Sequence, residues 1–359
     1  LKNEQKIRSV IGVMSGTSLD GLDIALCEFN QTNSDFKLVD AVTIEYSAIW
    51  KEKLSSVQLA SSQDYFKLNH EFGELIGKEI NKFLAEKKLT AHAIASHGHT
   101  VFHQPKAGIS TQIGSGASIA AKTGLTTVCD FRSLDVALNG QGAPLVPIGD
   151  ALLFNKYQAC LNLGGIANIS FENSNKQRVA FDICIANMVF NLLAADKNLS
   201  YDKDGVLAAN GKANAVLVSE LDQLDFYSIK GARSLGFEWF EINILPILSK
   251  YHQLSTEDKM ASFAEHISTQ IANIIHSNQL EKVLVTGGGA FNKYLIQLLN
   301  TKIKSPVIIP ESTIVNFKEA LIFAFLGHLR LEEKTNTLRS VTGALSDSVG
   351  GAVYFMKQA

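Results

Sequence analysis

Basic residues are in no excess in this chain: 33 Lys and Arg stand against 35 Asp and Glu, a formal net charge of −2. No broad positive field is therefore present to hold nucleic acid or another polyanion, and no nucleic-acid partner is expected. Long apolar runs are missing too. Although 46% of the residues are hydrophobic, none of the runs reaches the ~18–20 residues that a bilayer span requires, and no membrane partner is expected. Cysteine is scarce: Cys27, Cys129, Cys160 and Cys184 are scattered, with no C-x-x-C pair and no His at zinc-ligand spacing. That argues against a disulfide framework or a zinc site and predicts a reduced cytoplasmic protein with buried thiols. The start, Leu1-Lys-Asn-Glu-Gln-Lys-Ile-Arg8, lacks the apolar core of a signal peptide. Low-complexity tracts, long linkers and heptad repeats are absent as well.

At 359 residues the chain exceeds what one hydrophobic core usually serves, so two domains are expected. The most informative segment is Val10 to Phe29: an apolar strand, a turn dense in Gly, hydroxyl and carboxylate groups, and a second apolar strand. Glycines let backbone N–H groups approach an anion, Thr17 and Ser18 add donors, and Asp20 and Asp23 can reach Mg²⁺ or a water on it. An ordinary hairpin with a polar loop is the plainer alternative.

A second strand, Gly turn and strand follows about 150 residues later at Ala159 to Phe171, with Gly164-Gly165 flanked by Asn162 and Asn168. The spacing suggests two related domains, each contributing a loop to one nucleotide. Leu75 to Leu89 has helical periodicity, Ala93 to Ser96 reads as a strand running into His97-Gly-His-Thr, and Met260 to Ile275 reads as a helix. Lys282 to Thr286 then forms a strand that enters Gly287-Gly288-Gly289, ahead of a helix from about Phe291 to Leu299. Such alternation predicts a mixed α/β architecture, and a strand meeting glycines that open a helix can bring backbone against a nucleotide or simply permit close packing.

Eight segments in order carry a family resemblance: Gly12 to Asp23, Ser96 to His103, Asp130-Phe-Arg132, Gly140 to Pro147, Asn162 to Ser170, Phe181-Asp182, Thr286 to Ala290 and Val341 to Ala344. Together they resemble the anhydro-N-acetylmuramic acid kinases of the sugar kinase/Hsp70/actin superfamily. The resemblance implies a two-domain α/β, ribonuclease H-like fold with an interdomain active-site cleft. One lobe would span residues 1–128 plus 340–359 and the other residues 129–339. It implies ATP and Mg²⁺ as cofactors, a small amino sugar as substrate and a homodimer. The reaction implied converts 1,6-anhydro-N-acetylmuramic acid, water and ATP into N-acetylmuramic acid 6-phosphate and ADP.

Carried across residue by residue, Gly16, Thr17, Ser18, Leu19, Asp20, Gly21, Leu22 and Asp23 would bind the ATP phosphates, with Asp20 and Asp23 toward the metal. Gly164 and Gly165 would form the second phosphate turn, and Gly287, Gly288 and Gly289 would lie near the adenosine. Asp182 matches the family's catalytic aspartate; its position after Arg178-Val-Ala-Phe181 predicts a strand end, where an Asp can also merely cap the next helix. Glu319 is read as opening an apolar helix, either as a second catalytic carboxylate or as a favourable charge at a helix N-terminus. Arg132 could contact sugar or phosphate, or form a surface ion pair with Asp130 or Asp135. His97, His99 and His103 suggest polar lining of a sugar pocket, with a metal site as the weaker pattern, and His97 and Asn187 are assigned to the substrate.

Three departures stand out. Ile183-Cys-Ile-Ala186 replaces the family's common Thr-Gly-Pro-Gly ahead of Asn187, Asp150 stands where a His is frequent, and Ala232-Arg-Ser-Leu-Gly236 replaces the usual Lys-Ser-Thr-Gly-Arg stretch. A kinase of another amino sugar and an ATP-driven switch of the Hsp70 or actin kind are the competing functions.

Overall fold

A computed structural model describes residues 7–16, 19–30, 35–229 and 231–357. The chain divides into two compact units, Leu1–Leu153 with Phe317–Ala359, and Phe154–Asn316. These are not the expected lobe boundaries: residues 129–153 and 317–339 belong with the first unit. The physical reason is side-chain packing. Phe323 lies 4.6 Å from His97 and 5.7 Å from Phe131, centroid to centroid, and Arg330 Nε donates to the Gly351 carbonyl at 2.8 Å.

The first unit is built on strands β1 (Ile7–Ser15), β2 (Gly21–Asn30), β3 (Phe36–Glu45), β4 (Ala93–Gln104), β5 (Ile109–Ile113) and β6 (Thr126–Cys129), with the short C-terminal strand Ala352–Tyr354 on its edge. β1 pairs antiparallel with β2 and parallel with β4, while β5 and β6 take the far and near halves of β4. Helix Ser62–Lys87 is capped by Ser61, whose hydroxyl accepts from the Asp64 N–H. It begins well before the expected Leu75 and buries Phe72, Ile76 and Ile80, at helical spacing, against Ile11, Val13 and Ile94. β4 runs past the expected Ser96 and through Gly98. With φ +74° and only 2.4 Å between an ideal Cβ and the Ile113 carbonyl oxygen, Gly98 lets β4 continue beside β5.

Helix Ser312–Leu331 carries an irregular residue, Phe317, at φ −114° and ψ 15°. Past it the helix presses onto the sheet: a Cβ on Gly12 would sit 1.8 Å from the Ala320 carbonyl oxygen, and one on Gly327 would sit 2.4 Å from Ala95 Cβ. Only glycine allows this approach.

The second unit holds β7 (Ala159–Leu163), β8 (Ile166–Glu172), β9 (Arg178–Ile185) and β10 (Val283–Thr286), ordered β10-β7-β8-β9. Helix Thr256–Ser277, capped by Ser255 on the Asp258 N–H, contains the expected Met260–Ile275. It buries Phe263, Ile267 and Ile271 in a core shared with Leu161, Ile169, Ile183 and Val285.

Candidate active site

In the first unit the hairpin forms as expected, with Ser15 opposite Leu22 and Met14 opposite Asp23. Thr17 and Ser18 lie outside the described residues. The turn closes through the Leu19 N–H, which donates to the Gly16 carbonyl at 3.3 Å, and Leu19 takes φ 58°. A Cβ on Gly21 would lie 2.6 Å from the Ile44 carbonyl oxygen, so a side chain there would push β2 from β3. Asp20 is exposed. Asp23 accepts a 2.6 Å hydrogen bond from the Thr43 hydroxyl, and burial, opposed by that bond and reinforced by Asp20, raises its pKa. Below the turn, Ser15 Oγ accepts from the Tyr46 hydroxyl at 2.7 Å and lies 3.2 Å from His99 Nδ1.

His97 and Arg132 are brought together, and the contact redefines both. Nδ1 of His97 lies 2.9 Å from the Gly98 carbonyl, which fixes the proton on Nδ1. Nε2 then accepts from Arg132 Nε at 3.1 Å and from Nη2 at 2.9 Å. Burial first and the Arg132 charge second push the His97 pKa down to about 3. Arg132 also donates through Nη1 to the Gly142 carbonyl, in place of the alternative surface pair. Asp130 accepts from Ser133 instead, while buried Asp135 accepts from the Gly142 N–H and the Thr342 hydroxyl, both at 2.7 Å. Asp135 thus ties the Gly140–Pro147 segment to the Val341–Ala344 segment.

Glu319 does not open its helix, which starts at Ser312, but it does follow the irregular Phe317. Its side chain stays accessible. Its pKa is raised by desolvation and by Asp23, and lowered in part by Lys318 and Arg132. Asp23, Arg132 and Glu319 therefore share one electrostatic neighbourhood. Behind them Lys318 Nζ lies 2.7 Å from Asp150 Oδ1 with both side chains buried. Asp150, a departure from the family pattern, is accommodated by this cation.

In the second unit the register places four polar residues in one row: Thr286 opposite Asn162, Asn162 opposite Asn168, and Asn168 opposite Asp182. Residues directly opposite one another share a sheet face. The Gly164-Gly165 turn lies just beyond this row, and Gly287 closes on it, where a Cβ would be 2.5 Å from Asn162 Oδ1. Asn187 lies among these glycines: its Nδ2 donates to the Leu163 carbonyl at 2.9 Å, and a Cβ on Gly289 would be 3.1 Å from its Oδ1. The N–H groups of Ala186, Asn187 and Met188 donate to the Gly165, Gly164 and Gly165 carbonyls at 2.9, 3.1 and 3.1 Å. The start of helix Asn187–Ala195 thus holds the turn rather than free space. Gly288 and Gly289 fall in a single 3₁₀ turn, Gly288–Phe291, followed by helix Lys293–Lys302.

Asp182 is not at a strand end. It sits inside β9 where the β8–β9 register shifts by one residue, leaving Ile183 extra. Its Oδ2 accepts from the Leu235 N–H at 2.8 Å, and no partner of Oδ1 is found among the described residues. Burial raises its pKa, against the lowering by Leu235 and Arg233. Ile183, Cys184, Ile185 and Ala186 are all buried in the core. The departure from the family's glycine-containing stretch is thus an apolar one, packed inward, and Asn187 keeps its place.

Among the described residues no group of three or more His, Cys, Asp or Glu side chains is arranged to hold a metal. His97 serves Arg132, and His103 Nδ1 lies 3.1 Å from Ser110 Oγ. Asp20 and Asp23 fit the looser pattern of Mg²⁺, which takes one or two carboxylates and completes its shell with phosphates and water. Sequence reasoning gave no role to Thr43, Thr342, Arg233 and Leu235, all distant in sequence from the groups they serve, although Thr342 lies in the Val341–Ala344 motif and Arg233 and Leu235 in the divergent Ala232–Gly236 stretch.

The family model for anhydro-N-acetylmuramic acid kinase matches residues 8–356. Similar curated proteins include the anhydro-N-acetylmuramic acid kinases of Mannheimia succiniciproducens, 34% identical over 96% of this chain and 98% of that protein, and Hydrogenovibrio crunogenus, 35% identical over 96% and 97%. A likeness at 12% identity and TM-score 0.46 is to an activator of 2-hydroxyisocaproyl-CoA dehydratase from Clostridium difficile with bound ADPNP, covering 90% of this chain and 97% of that one. Matched along nearly its whole length, the chain belongs to the anhydro-N-acetylmuramic acid kinase family.

Proposed function

We propose that this chain uses ATP to convert 1,6-anhydro-N-acetylmuramic acid and water into N-acetylmuramic acid 6-phosphate and ADP. Family membership supports the substrate. The observation that carries the chemistry is Asp182, with one carboxylate oxygen held by the Leu235 N–H and the other without a hydrogen-bond partner among the described residues. In the step proposed, water attacks C1, the C1–O6 bond breaks, and O6 takes the γ-phosphoryl group as ADP leaves. The proton lost by the water passes to Asp182 Oδ1. Burial makes this carboxylate more basic than an exposed one, which favours proton uptake.

Gly16 to Asp23, Gly164 and Gly165 are assigned to the phosphates, Gly287 to Gly289 to the adenosine side, and Glu319 to the second catalytic carboxylate. Arg132, oriented by neutral His97, is assigned to an anionic group of the substrate; His97 acts through it. Asn187, whose side chain holds the Leu163 carbonyl, supports the glycine turns instead of meeting the sugar. Mg²⁺, when bound at Asp20 and Asp23, supplies positive charge to the β- and γ-phosphate oxygens. Four free cysteines support a reducing, cytoplasmic location, and a homodimer follows the family resemblance.

The test is product analysis after reaction in ¹⁸O-water, with authentic N-acetylmuramic acid 6-phosphate in the same water as the exchange blank. Label at C1 above the blank is the expected result. ADP release with an intact anhydro ring, or label no higher than the blank, overturns the proposal.

A further inference from the structure

Asp182 is held by a segment far along the chain. Its N–H donates to the Arg233 carbonyl at 3.0 Å, and Arg233 Nε returns a hydrogen bond to the Asp182 carbonyl at 3.0 Å. Two residues further on, Leu235 holds Oδ2. These bonds fix the backbone and one carboxylate oxygen of a residue at a strand irregularity, where ladder pairing alone leaves the side chain's aim undetermined.

The guanidinium is itself fixed. Arg233 Nη1 donates to the Ile229 and Phe226 carbonyls at 2.9 and 3.4 Å. Its carbon centre lies over the Phe181 and Phe226 rings at 5.3 and 4.9 Å. The turn that carries Phe226 is anchored from behind: the Tyr227 hydroxyl lies 2.8 Å from His266 Nε2, and His266 Nδ1 lies 2.6 Å from Asp222 Oδ1. Gln270 Nε2 donates to that same Asp222 oxygen at 2.8 Å. A continuous path thus runs from helix Thr256–Ser277 through this turn to Arg233 and on to Asp182.

The geometry points to Arg233 as the positioning residue for Asp182: its fork ties Phe226 and Ile229 to β9, sets the Leu235 N–H on Oδ2, and leaves Oδ1 as the oxygen that receives the proton. This rests on the proposed role of Asp182 as the base. A lysine cannot reproduce it, because an ammonium is a point charge without the planar fork that reaches Asp182 and Ile229 together. The Arg233 charge also favours the ionised carboxylate. Among the described residues the buried Cys184 thiol also interacts electrostatically with Asp182, and burial raises its pKa.

Steady-state kinetics of the full chain with Mg·ATP and the anhydro sugar test this, using Arg233→Ala, Arg233→Lys and Arg233→Met beside Asp182→Asn. Removal of the fork is expected to lower kcat by ~10- to 100-fold while KM for both substrates stays within about threefold. In the Ala and Met variants the acid limb of kcat moves to higher pH, because loss of the cation raises the Asp182 pKa. Added guanidinium restores part of the activity of Arg233→Ala and none of Asp182→Asn. Arg233→Met keeps an apolar stem on the two rings, so it and Arg233→Lys carry the test if Arg233→Ala does not fold. Wild-type kcat and acid limb in the Arg233 variants, with Asp182→Asn inactive, overturn the positioning role and leave the base in place. Wild-type turnover in Asp182→Asn overturns both.

Discussion

Arg132 gives two of its guanidinium nitrogens to a single atom, His97 Nε2. A protonated imidazole could not accept either bond, so the pair exists only with His97 neutral. A histidine that reads as sugar-pocket lining is therefore the rest on which an arginine is set.

Acid stability should report this pair. The folded-state pKa of His97 is pushed down to about 3, below the ~6.5 of an unfolded chain. The folded state thus binds fewer protons, and stability present above pH ~6.5 is lost as pH falls toward the folded value. Thermal melts of wild type and His97→Gln, whose amide oxygen can still accept and does not titrate, should lie closest above pH 7 and separate as pH falls below ~6.5, the wild type losing stability that the variant keeps. Parallel curves over that range would count against a neutral His97.

Gly12→Ala should be severely destabilising. The new methyl meets helix backbone, Ala320 O at 1.8 Å and Ala324 N at 2.8 Å, which cannot rotate away as a side chain can. A loss of about 3 kcal/mol or more is expected from overpacking of this kind, measured by urea denaturation. A change below ~1 kcal/mol would mean that the helix slides freely over β1.

Asn187→Ala should act on nucleotide binding. It removes the bond to the Leu163 carbonyl, a net loss of about 1 kcal/mol or more where the acceptor is left unmet. It also frees the glycine turns around it. The KM for ATP is expected to rise roughly three- to tenfold with a smaller change in kcat. A rise in the sugar KM alone would instead return Asn187 to the substrate.

The Lys318–Asp150 pair should show strong coupling. Lys318→Met removes the cation from beside a buried carboxylate, at a cost of about 3–5 kcal/mol. The double variant Lys318→Met/Asp150→Leu should recover most of that loss, because neither charge remains buried. Additive single and double effects in a denaturation cycle would contradict direct pairing.

What was legible in the sequence was what local pattern encodes. Apolar strands around glycine turns gave both hairpins, and helical spacing of Met260, Phe263, Ile267 and Ile271 gave the long helix of the second unit. Helix Ser312–Leu331 was read too late, because Thr313, Ile314 and Val315 are β-branched and weak helix formers. The strand read as Ala93 to Ser96 runs on to Gln104 through Gly98, a point of close strand contact. Asp182 resembled a strand end because its partners, Arg233 and Leu235, come from a segment with no regular element of its own. Lobe boundaries were misplaced for a similar reason: Phe131 and Phe323 meet across nearly two hundred residues of chain.

The row Thr286, Asn162, Asn168 and Asp182 makes the proposed site sensitive to strand alignment. Side chains alternate between faces, so a slip of one residue in any of the four strands would break the row and turn one of its polar groups to the opposite face. Misalignment during folding would thus disarm the protein and destabilise it together, and insertions or deletions should be tolerated in its outer connections well before they are tolerated within these strands.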